Sequence, residues 1–290
     1  MILVADSGST KCDWILISEN GERFETHTMG FNPFFHNEHL IEDELNKNTL
    51  LRRHADLISH IYFYGAGASS SDRNAIIERG LAKIFTKTKK IVVDHDVKAA
   101  VIATAKDQKG IVCILGTGSN SCYSDGKNIS EIIPALGYIL GDEGSGSFFG
   151  KKILTAYLYK KLPTELAELL EHIYGVNKEL ILETVYKQPN ANVYLATFAK
   201  FAYEYRKHIF FEPMIRDGLT EFINMHVCCY PNYKDVPVHF IGSIAFYFKD
   251  VLGEIALNYP LTIGEIVKNP ISLMADYYCN KHAIPLKAEY

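Results

Sequence analysis

Two short turns rich in glycine, serine and threonine are the first segments whose chemistry can be read from the sequence. The motif Asp6-Ser-Gly-Ser-Thr-Lys follows an apolar run at residues 2–5, and the motif Gly116-Thr-Gly-Ser follows an apolar run at residues 110–115. Small-residue turns present backbone N–H groups and hydroxyl donors that can bind phosphate. An ordinary β-hairpin turn is the alternative for either turn alone, but two such turns in successive halves of the chain favour phosphate binding. The candidate residues are Gly8, Ser9, Thr10 and Lys11 in the first turn, and Gly116, Thr117, Gly118 and Ser119 in the second.

Two aspartates have positions that favour a role in catalysis or metal binding. Asp96 follows the apolar residues 91–93, where a buried strand gives way to a helix, and open α/β folds bind their ligands at the carboxyl ends of strands. Asp is also a preferred helix N-cap, which is the alternative for Asp96. Beside two phosphate turns, we predict that Asp96 is a general base and that Asp94 and His95 are structural. Asp6, at the end of the first strand, can hold a hydrated Mg²⁺ ion.

A glycine-rich segment with two adjacent carboxylates has a composition that suits the recognition of hydroxyl groups. In Gly137-Tyr-Ile-Leu-Gly-Asp-Glu-Gly-Ser-Gly-Ser147, Asp142 and Glu143 can accept hydrogen bonds from a sugar, and glycine lets the backbone approach a ligand closely. The alternative is a solvated helix start capped by Asp142. Gly242-Ser243 follows the strand-like residues 236–241 and is a weaker signal, which we place beside a purine ring or ribose.

These motifs need an α/β framework to position them, and the pattern of apolar runs predicts one. Three antiparallel strands are expected near residues 2–5, 12–18 and 24–28, with Asn20-Gly21 as a hairpin turn. Strands at 61–64 and 91–93 alternate with a helix at 75–85, which predicts parallel pairing. The strand–turn–strand pattern restarts at residue 110. We therefore expect a duplicated α/β domain with a cleft between the two copies.

The domain boundaries follow from this restart. The N-terminal domain is predicted at residues 1–107 and the C-terminal domain at 108–264, with a mostly helical insertion from 147 to 227. A final helix is predicted at about 263–279, and the segment 265–290 is expected to pack back on the first domain. Aromatic residues at helical spacing within 194–205 form either the face of a homodimer or, more often for such a stripe, part of the core. The residues concerned are Phe198, Phe201, Ala202 and Tyr205.

The composition is that of an ordinary folded protein and disfavours several classes. Of 290 residues, 48% are hydrophobic and 22% are charged, and 30 basic against 34 acidic residues give a net charge of −4. No global positive field attracts nucleic acid, so we expect none as a partner. The N-terminus lacks the pattern of a signal peptide and no run of about 18 apolar residues is present, which predicts a cytoplasmic protein without a membrane partner. The six cysteines include no CxxC pair, so we expect free buried thiols.

In order and spacing, these motifs resemble the superfamily of acetate and sugar kinases, heat-shock chaperones and actin, over nearly the whole chain. Asp6-Ser-Gly-Ser-Thr-Lys, Asn32-Pro33, Asp96, Gly116-Thr-Gly-Ser-Asn120 and Gly141-Asp-Glu-Gly-Ser145 resemble the N-acetylglucosamine kinase branch. That branch is part of the group that also contains the activating component of benzoyl-CoA reductase. The resemblance implies an α/β fold of two ribonuclease-H-like (actin-like ATPase) domains that close over sugar and ATP.

The resemblance also implies a role for each motif. Asp96 would be the base for the 6-hydroxyl of the sugar, and Asp6 would orient Mg²⁺. The two turns would hold the phosphates of ATP, and Gly242-Ser243 would lie at the adenosine. The residues placed at the sugar are Asn32, Asn120, Asp142 and its neighbour Glu143. One departure is Leu136, where vertebrate N-acetylglucosamine kinases carry a tryptophan, so an aromatic platform for the sugar is missing there.

The sequence therefore predicts an ATP- and Mg²⁺-dependent kinase that phosphorylates the 6-hydroxyl of N-acetylglucosamine. A kinase for N-acetylmuramic acid or glucosamine is the first alternative, because the motifs do not separate these sugars. An ATP-driven activator of a dehydratase or reductase is the second, but it needs cysteines that hold an iron–sulfur cluster between two subunits, and none follows that pattern. The third is a nucleotide-binding interaction protein without transferase activity, for which the chain has no spare length.

Overall fold

The computed structural model describes residues 1–8 and 11–286 of the chain, so Ser9 and Thr10 of the first predicted phosphate turn lie outside the described residues. The chain divides into two compact units. Unit 1 consists of Met1–Lys106 together with the residues from Asn269 onward, and unit 2 consists of Asp107–Lys268. Each unit has its own sheet and its own hydrophobic core.

Unit 1 is built on a five-stranded mixed sheet with the order β3-β2-β1-β4-β5. Strands β1 and β2, and β2 and β3, pair antiparallel, whereas β1 pairs parallel with β4 and β4 pairs parallel with β5. The predicted Asn20-Gly21 hairpin joins β2 to β3, and Gly21 has a φ of 82° that suits a glycine in such a turn. The strands are β1 (Ile2–Ser7), β2 (Lys11–Ile17), β3 (Arg23–Met29), β4 (His60–Gly65) and β5 (Lys90–His95).

Four helices lie among the described residues of the first 106, and local side chains define where two of them begin. The Asn37 side chain accepts hydrogen bonds from the backbone N–H groups of His39 and Leu40, and the Asn48 side chain caps the next helix at Leu51. Trp14 and Phe31 are among the fully buried side chains between sheet and helices. The helices are α1 (Glu38–Lys47), α2 (Thr49–His54), α3 (Ser71–Ile84) and α4 (Asp96–Ala103), with a short 3₁₀ turn at Ala55–Leu57.

Unit 2 repeats the same strand arrangement. Its sheet has the order β10-β9-β6-β7-β8, in which β6 and β7 and then β8 pair antiparallel, while β6 pairs parallel with β9 and β9 parallel with β10. The two sheets therefore agree in order and direction, as the restart of the sequence pattern predicts. The strands are β6 (Lys109–Leu115), β7 (Ser119–Asp125), β8 (Ile129–Ser130), β9 (Pro237–Ile241) and β10 (Thr262–Val267).

The helical insertion predicted from 147 to 227 is confirmed, and its aromatic stripe belongs to the core. Phe198, Phe201 and Ala202 are buried within unit 2, so the interpretation of these three residues as a dimer face is wrong. Among the described residues, no helix has the length and apolar character that crossing a membrane requires. The helices are α5 (Gly137–Leu140), α6 (Gly146–Leu158), α7 (Thr164–Tyr174), α8 (Lys178–Lys187), α9 (Ala191–Thr197), α10 (Ala199–Glu204), α11 (Phe211–Phe222), a π-helical turn (Ile223–Val227), α12 (Ser243–Tyr247) and α13 (Lys249–Ala256).

The prediction for the last part of the chain needs a correction. Residues 262–267 form the strand β10, not the start of the final helix, because their β-branched side chains complete the sheet beside β9. The final helix, α14 (Ile271–Lys281), begins directly after Pro270. It packs on α4, β1 and β2 of unit 1.

The cysteines agree with the prediction of free thiols. Cys228 and Cys229 are partly buried, and the remaining four are fully buried.

Candidate active site

The carboxyl ends of the parallel strands in unit 1 gather acidic side chains on one face of the sheet. Asp6 on β1 lies opposite Asp13 on β2 and opposite Tyr64 on β4, and Tyr64 lies opposite Asp94 on β5. Residues directly opposite each other on neighbouring strands project from the same face. Asp96 lies two residues after Asp94 in the chain and is the first residue of α4. The fold therefore brings together carboxylates from three strands and one helix.

Asp6, Asp13 and Asp96 place three carboxyl groups near one another at this edge of the sheet. Burial, together with the smaller effect of the carboxylates of Asp96 and Asp13, raises the pKa of Asp6 to about 7. The Lys11 ammonium pairs with Asp13, at 2.6 Å between Nζ and Oδ1. Oxygen donors with excess negative charge are what Mg²⁺ prefers as ligands, so the donor set at Asp6 fits a divalent cation.

Asp96 is the first residue of α4 and not its N-cap. His95 occupies the N-cap position with an extended backbone, so the interpretation of Asp96 as the cap is wrong. Asp96 is partly exposed, and its Oδ1 accepts a hydrogen bond of 2.9 Å from the backbone N–H of Val97. Asp94 accepts a hydrogen bond from the N–H of His95, in keeping with the structural role predicted for both.

Asn32 organises a loop that meets the segment after β4. Its side-chain oxygen accepts a hydrogen bond of 3.0 Å from the N–H of Phe34, and its backbone oxygen accepts from the N–H groups of Phe35 and His36. Gly67 approaches so closely that an added Cβ would lie 2.5 Å from the Asn32 Oδ1 atom. This loop leaves Phe34 and Phe35 with 60% and 78% of their surfaces exposed, which is unusual for aromatic side chains.

The Gly116–Ser119 turn in unit 2 leaves backbone donors unpaired. The carbonyl groups of Gly116 and Thr117 accept hydrogen bonds from the N–H groups of Gly146 and Ser147 at the start of α6. In the part of the chain that the structure describes, the N–H groups of Thr117 and Gly118 have no hydrogen-bond acceptor. The first glycine of each turn donates its N–H across the turn, Gly8 to the Lys11 carbonyl and Gly116 to the Gly118 carbonyl. Unpaired N–H groups at such a turn can bind an anion.

Asp142 connects the Gly116–Ser119 turn to the glycine-rich segment through hydrogen bonds. Its Oδ1 accepts a hydrogen bond of 3.0 Å from the Ser119 N–H, and its Oδ2 lies 3.4 Å from the Ser147 hydroxyl. Burial raises the pKa of the Asp142 carboxyl, and these two hydrogen bonds act in the opposite direction. Ser145, not Asp142, caps α6, because the Ser145 hydroxyl accepts from the Phe148 N–H. The alternative of a solvated helix start capped by Asp142 is therefore wrong.

Glu143 has a buried partner that the sequence did not single out. The Nε2 atom of His226 lies 3.0 Å from the Glu143 Oε2 atom. His226 lies in the π-helical turn, and its ring stacks on Phe222 with centroids 4.8 Å apart. No local pattern connects positions 143 and 226, so only the fold reveals this pair. Asn120 contacts a third acidic residue, with 3.4 Å between its Nδ2 atom and the Glu131 Oε2 atom.

A cavity of about 790 Å³ lies beside the second turn, entirely within unit 2. Gly116 and Thr117 line one part of it, and Ser243 at the start of α12 lines another. Gly242 is required there, because its φ is 121° and an added Cβ would lie 2.2 Å from the Leu115 carbonyl oxygen. Tyr203 and Tyr247 also line the cavity, and their ring centroids lie 5.0 Å apart. No motif in the sequence had indicated this aromatic surface.

The two α/β units with their five-stranded mixed sheets match the fold of sugar kinases. A ROK-family glucokinase from Streptomyces griseus, in complex with glucose and AMPPNP, has this fold, with 13% identity, a TM-score of 0.55 and 95% of this chain and 98% of that chain covered. No family model matches the sequence.

Two relatives are more similar in sequence. A structure from Porphyromonas gingivalis, provisionally named an N-acetylglucosamine kinase, is 36% identical over 97% of this chain and 100% of that chain, with a TM-score of 0.91. A curated N-acetylmuramic acid/N-acetylglucosamine kinase from Clostridium acetobutylicum is 36% identical over 94 residues, which span 32% of this chain and only 30% of that relative. The chain belongs to the N-acetylglucosamine kinase family of sugar kinases.

Proposed function

We propose that this protein transfers the γ-phosphoryl group of ATP to the 6-hydroxyl of N-acetylglucosamine. The observation that carries the proposal is the meeting of Asp6 and Asp96 at the strand ends of unit 1, in a chain of this family. The complex of the Streptomyces griseus glucokinase with AMPPNP supports ATP as the phosphoryl donor.

We further propose that the two units, which the sequence predicts at 1–107 and 108–264 and which the structure divides after Lys106 and Lys268, are ribonuclease-H-like (actin-like ATPase) domains. The identical order and direction of the strands in the two sheets support this assignment. Membership in the group that contains the activating component of benzoyl-CoA reductase stays a prediction. A cytoplasmic location, a homodimer and the expected lack of a nucleic-acid partner also stay predictions.

Asp96 is the general base of the proposed reaction. It takes the proton of the 6-hydroxyl as the sugar oxygen bonds to the γ-phosphorus, while the bond from that phosphorus to the β,γ-bridging oxygen breaks and ADP leaves with the electron pair. Little covalent work falls to the protein in phosphoryl transfer, so catalysis comes chiefly from positioning and charge stabilisation. The partial exposure of Asp96 leaves its carboxylate accessible to a substrate hydroxyl.

The nucleotide is assigned mainly to unit 2. The free N–H groups of Thr117 and Gly118 bind phosphate oxygens, and Ser119 completes the turn. The adenosine occupies the cavity beside Gly242-Ser243, whose Tyr203 and Tyr247 rings offer stacking surfaces to a purine. In unit 1, Gly8 and Lys11 stay candidates for phosphate contact, although Lys11 is paired with Asp13.

Asp6 would hold Mg²⁺, and its raised pKa supports this assignment, because a cation relieves the repulsion among the three carboxylates. When bound, the ion would neutralise charge on the phosphates of ATP. Asn32, Asn120, Asp142 and Glu143 stay the proposed sugar residues. Among these, Asp142 is engaged by Ser119, so its carboxylate joins the phosphate turn to the sugar segment.

The proposed function is tested by an ADP-release assay over a panel of amino sugars. The variant Asp96→Asn is expected to lower kcat by about 10²–10⁴-fold, because general-base assistance contributes this much, while the KM for the sugar changes little. The exposed Asp56→Asn in unit 1 is a matched control that removes one carboxylate away from the sheet edge. Near-normal turnover by Asp96→Asn would overturn the assignment of the base, and ADP release that no amino sugar stimulates would overturn the kinase assignment.

A further inference from the structure

His226 is a buried titratable residue that the proposed reaction does not use. It lies in the π-helical turn at Ile223–Val227, and turns of this kind often occur at functional sites. Its ring stacks on Phe222, with the centroids 4.8 Å apart and the two planes 12° from parallel. Only 5% of His226 is exposed, so this stack and the surrounding core fix the directions of both ring nitrogens.

The two ring nitrogens of His226 have different surroundings. The Nε2 atom lies 3.0 Å from the Glu143 Oε2 atom, whereas the Nδ1 atom is buried and has no hydrogen-bond partner among the described residues. A proton on Nδ1 would be a buried donor without an acceptor, which is costly. The contacts therefore favour the tautomer with its proton on Nε2, which donates to Glu143.

The Glu143 carboxylate is engaged through one of its two oxygens. In the part of the chain that the structure describes, Oε2 is bonded to His226 and Oε1 has no hydrogen-bond partner. The side chain of Glu143 is 20% exposed, against 6% for that of His226. Glu143 thus extends from a buried donor toward the surface and keeps one oxygen free to accept a hydrogen bond from a ligand.

The backbone that carries Glu143 is held by the same helix that supports His226. The next residue, Gly144, has a φ of 66°, and a Cβ added to it would lie 2.9 Å from the Gly218 carbonyl oxygen and 3.0 Å from the Phe222 Cβ atom. Both of these residues belong to α11, which ends at Phe222. The main chain and the side chain of Glu143 therefore have a common support, which fixes the direction of its carboxylate.

We propose that His226 is a positioning residue, which holds Glu143 by one carboxylate oxygen so that the other accepts a hydrogen bond from a sugar hydroxyl other than the 6-hydroxyl. The inference rests on the proposed function, because it needs a sugar at the glycine-rich segment. His226 takes no part in phosphoryl transfer and acts only through Glu143. Since the hydrogen bond to this hydroxyl is the same before and during transfer, its loss should weaken sugar binding and leave turnover nearly unchanged.

The first test removes the donor and keeps an aromatic ring. His226→Phe preserves the stack on Phe222 but cannot donate to Glu143. We expect the KM for N-acetylglucosamine to rise by about 10- to 100-fold, with kcat and the KM for ATP little changed. His226→Gln should restore most of the affinity, because its amide can donate from a position close to that of Nε2. An equal rise of the sugar KM in both variants would overturn the inference.

A double-mutant cycle tests whether His226 acts through Glu143. Glu143→Ala removes the acceptor for the sugar hydroxyl, so adding His226→Phe to it should change the sugar KM by less than about 2-fold. A residue with a merely structural role would raise the KM in the Glu143→Ala background as well, and that result would contradict the proposal.

His239→Phe is the matched control, since it also replaces a buried histidine of unit 2 and deletes one hydrogen bond, the one from the Glu265 N–H. The His239 ring lies beside Gly110, at the opposite end of β6 from the Gly116–Ser119 turn. The sugar KM of this variant should stay at the wild-type value, and a rise as large as that in His226→Phe would assign the effect to lost packing. If His226→Phe does not fold, His226→Asn replaces it, because the shorter amide does not reach the Nε2 position.

Calorimetry of sugar binding without ATP separates this inference from the proposed function. A wild type that binds N-acetylglucosamine but phosphorylates no amino sugar would overturn the proposed function alone. Unchanged binding by His226→Phe would overturn the inference alone, and a wild type that binds no amino sugar would overturn both.

Discussion

Single residues at the strand ends of unit 1 decide the electrostatics of the proposed site. Asp6 is flanked by Asp96 and Asp13, and its pKa lies near 7 because the folded chain buries the carboxyl among like charges. Carboxylates held together against their repulsion are typical of sites that bind a cation or transfer a proton. Asp6 is therefore a residue whose role should appear in stability as well as in activity.

The raised pKa of Asp6 predicts that the stability of the fold depends on pH. The unfolded carboxyl loses its proton near pH 3.8, whereas the folded one keeps it up to about pH 7, so the folded state binds more protons in this window. The contribution of Asp6 to the free energy of unfolding therefore falls as pH rises from about 4 to about 7. In Mg²⁺-free buffer, the unfolding free energy of Asp6→Asn relative to that of wild type should increase by about 2 kcal/mol from pH 5 to pH 8. Urea denaturation at the two pH values measures this change.

Added Mg²⁺ is the control for this pH effect. At about pH 8, added Mg²⁺ should reduce the difference in unfolding free energy between wild type and Asp6→Asn, because a cation stabilises the ionised carboxylate. A difference in unfolding free energy that is the same at both pH values would contradict the raised pKa of Asp6.

At the scale of elements, the second turn depends on how α6 is seated. The first residues of α6, Gly146 and Ser147, donate backbone hydrogen bonds to the carbonyls of Gly116 and Thr117. Further along the same helix, Gly150 lies against the backbone of α9. The position of the turn therefore rests on the close crossing of two helices that lie far from it in sequence.

This close crossing predicts a strong effect of one methyl group. An added Cβ at Gly150 would lie 1.8 Å from the Leu195 carbonyl oxygen, so α6 and α9 must separate in Gly150→Ala. We expect a loss of about 3 kcal/mol of unfolding free energy and a higher KM for ATP. Gly253→Ala in α13 is the matched control, because nothing lies within 4 Å of its added Cβ and alanine favours helix by about 1 kcal/mol. Equal stability of the two variants would show that the crossing is not tight.

At the scale of the whole molecule, the end of the chain returns to the unit in which the chain begins. Tyr278 of α14 stacks on Tyr62 with ring centroids 3.7 Å apart, and its hydroxyl is hydrogen-bonded to that of Tyr64. Arg23 of β3 pairs with Asp276 of the same helix. Unit 2 is therefore inserted between two parts of unit 1, and the last helix completes the fold of the first hundred residues.

The sole tryptophan, Trp14, is buried in unit 1 and reports on its unfolding. Tyr278→Ala should lower the urea midpoint of Trp14 fluorescence, with a loss of about 3–5 kcal/mol, because a large buried aromatic side chain is removed. Asn280→Gln on the same helix is exposed and should change the unfolding free energy by less than about 0.5 kcal/mol. An unchanged Trp14 transition in Tyr278→Ala would mean that α14 does not stabilise unit 1.

The sequence was informative wherever a pattern is local. Apolar runs ending in small residues located most of the strands and the turn after β6, and Asp96 was singled out because it stands at a strand-to-helix junction. Residues 262–267 were misread because Ile and Val at short spacing suit a helix or a strand, and only pairing with β9 decides between them. The N-cap alternatives for Asp96 and Asp142 failed for a similar reason, since His95 and Ser145 hold those positions.

By itself, the sequence determined the α/β class and the repeated strand–turn–strand pattern, and it supplied the candidate residues for kinase chemistry. Only the tertiary structure decided which side chains meet: Asp6 beside Asp96, Glu143 beside His226, and Arg73 on Phe34. The physical reason is that strand and turn formation depends on residues a few positions apart. A pKa or an ion pair depends on side chains that sheet register and helix packing bring together from distant parts of the chain.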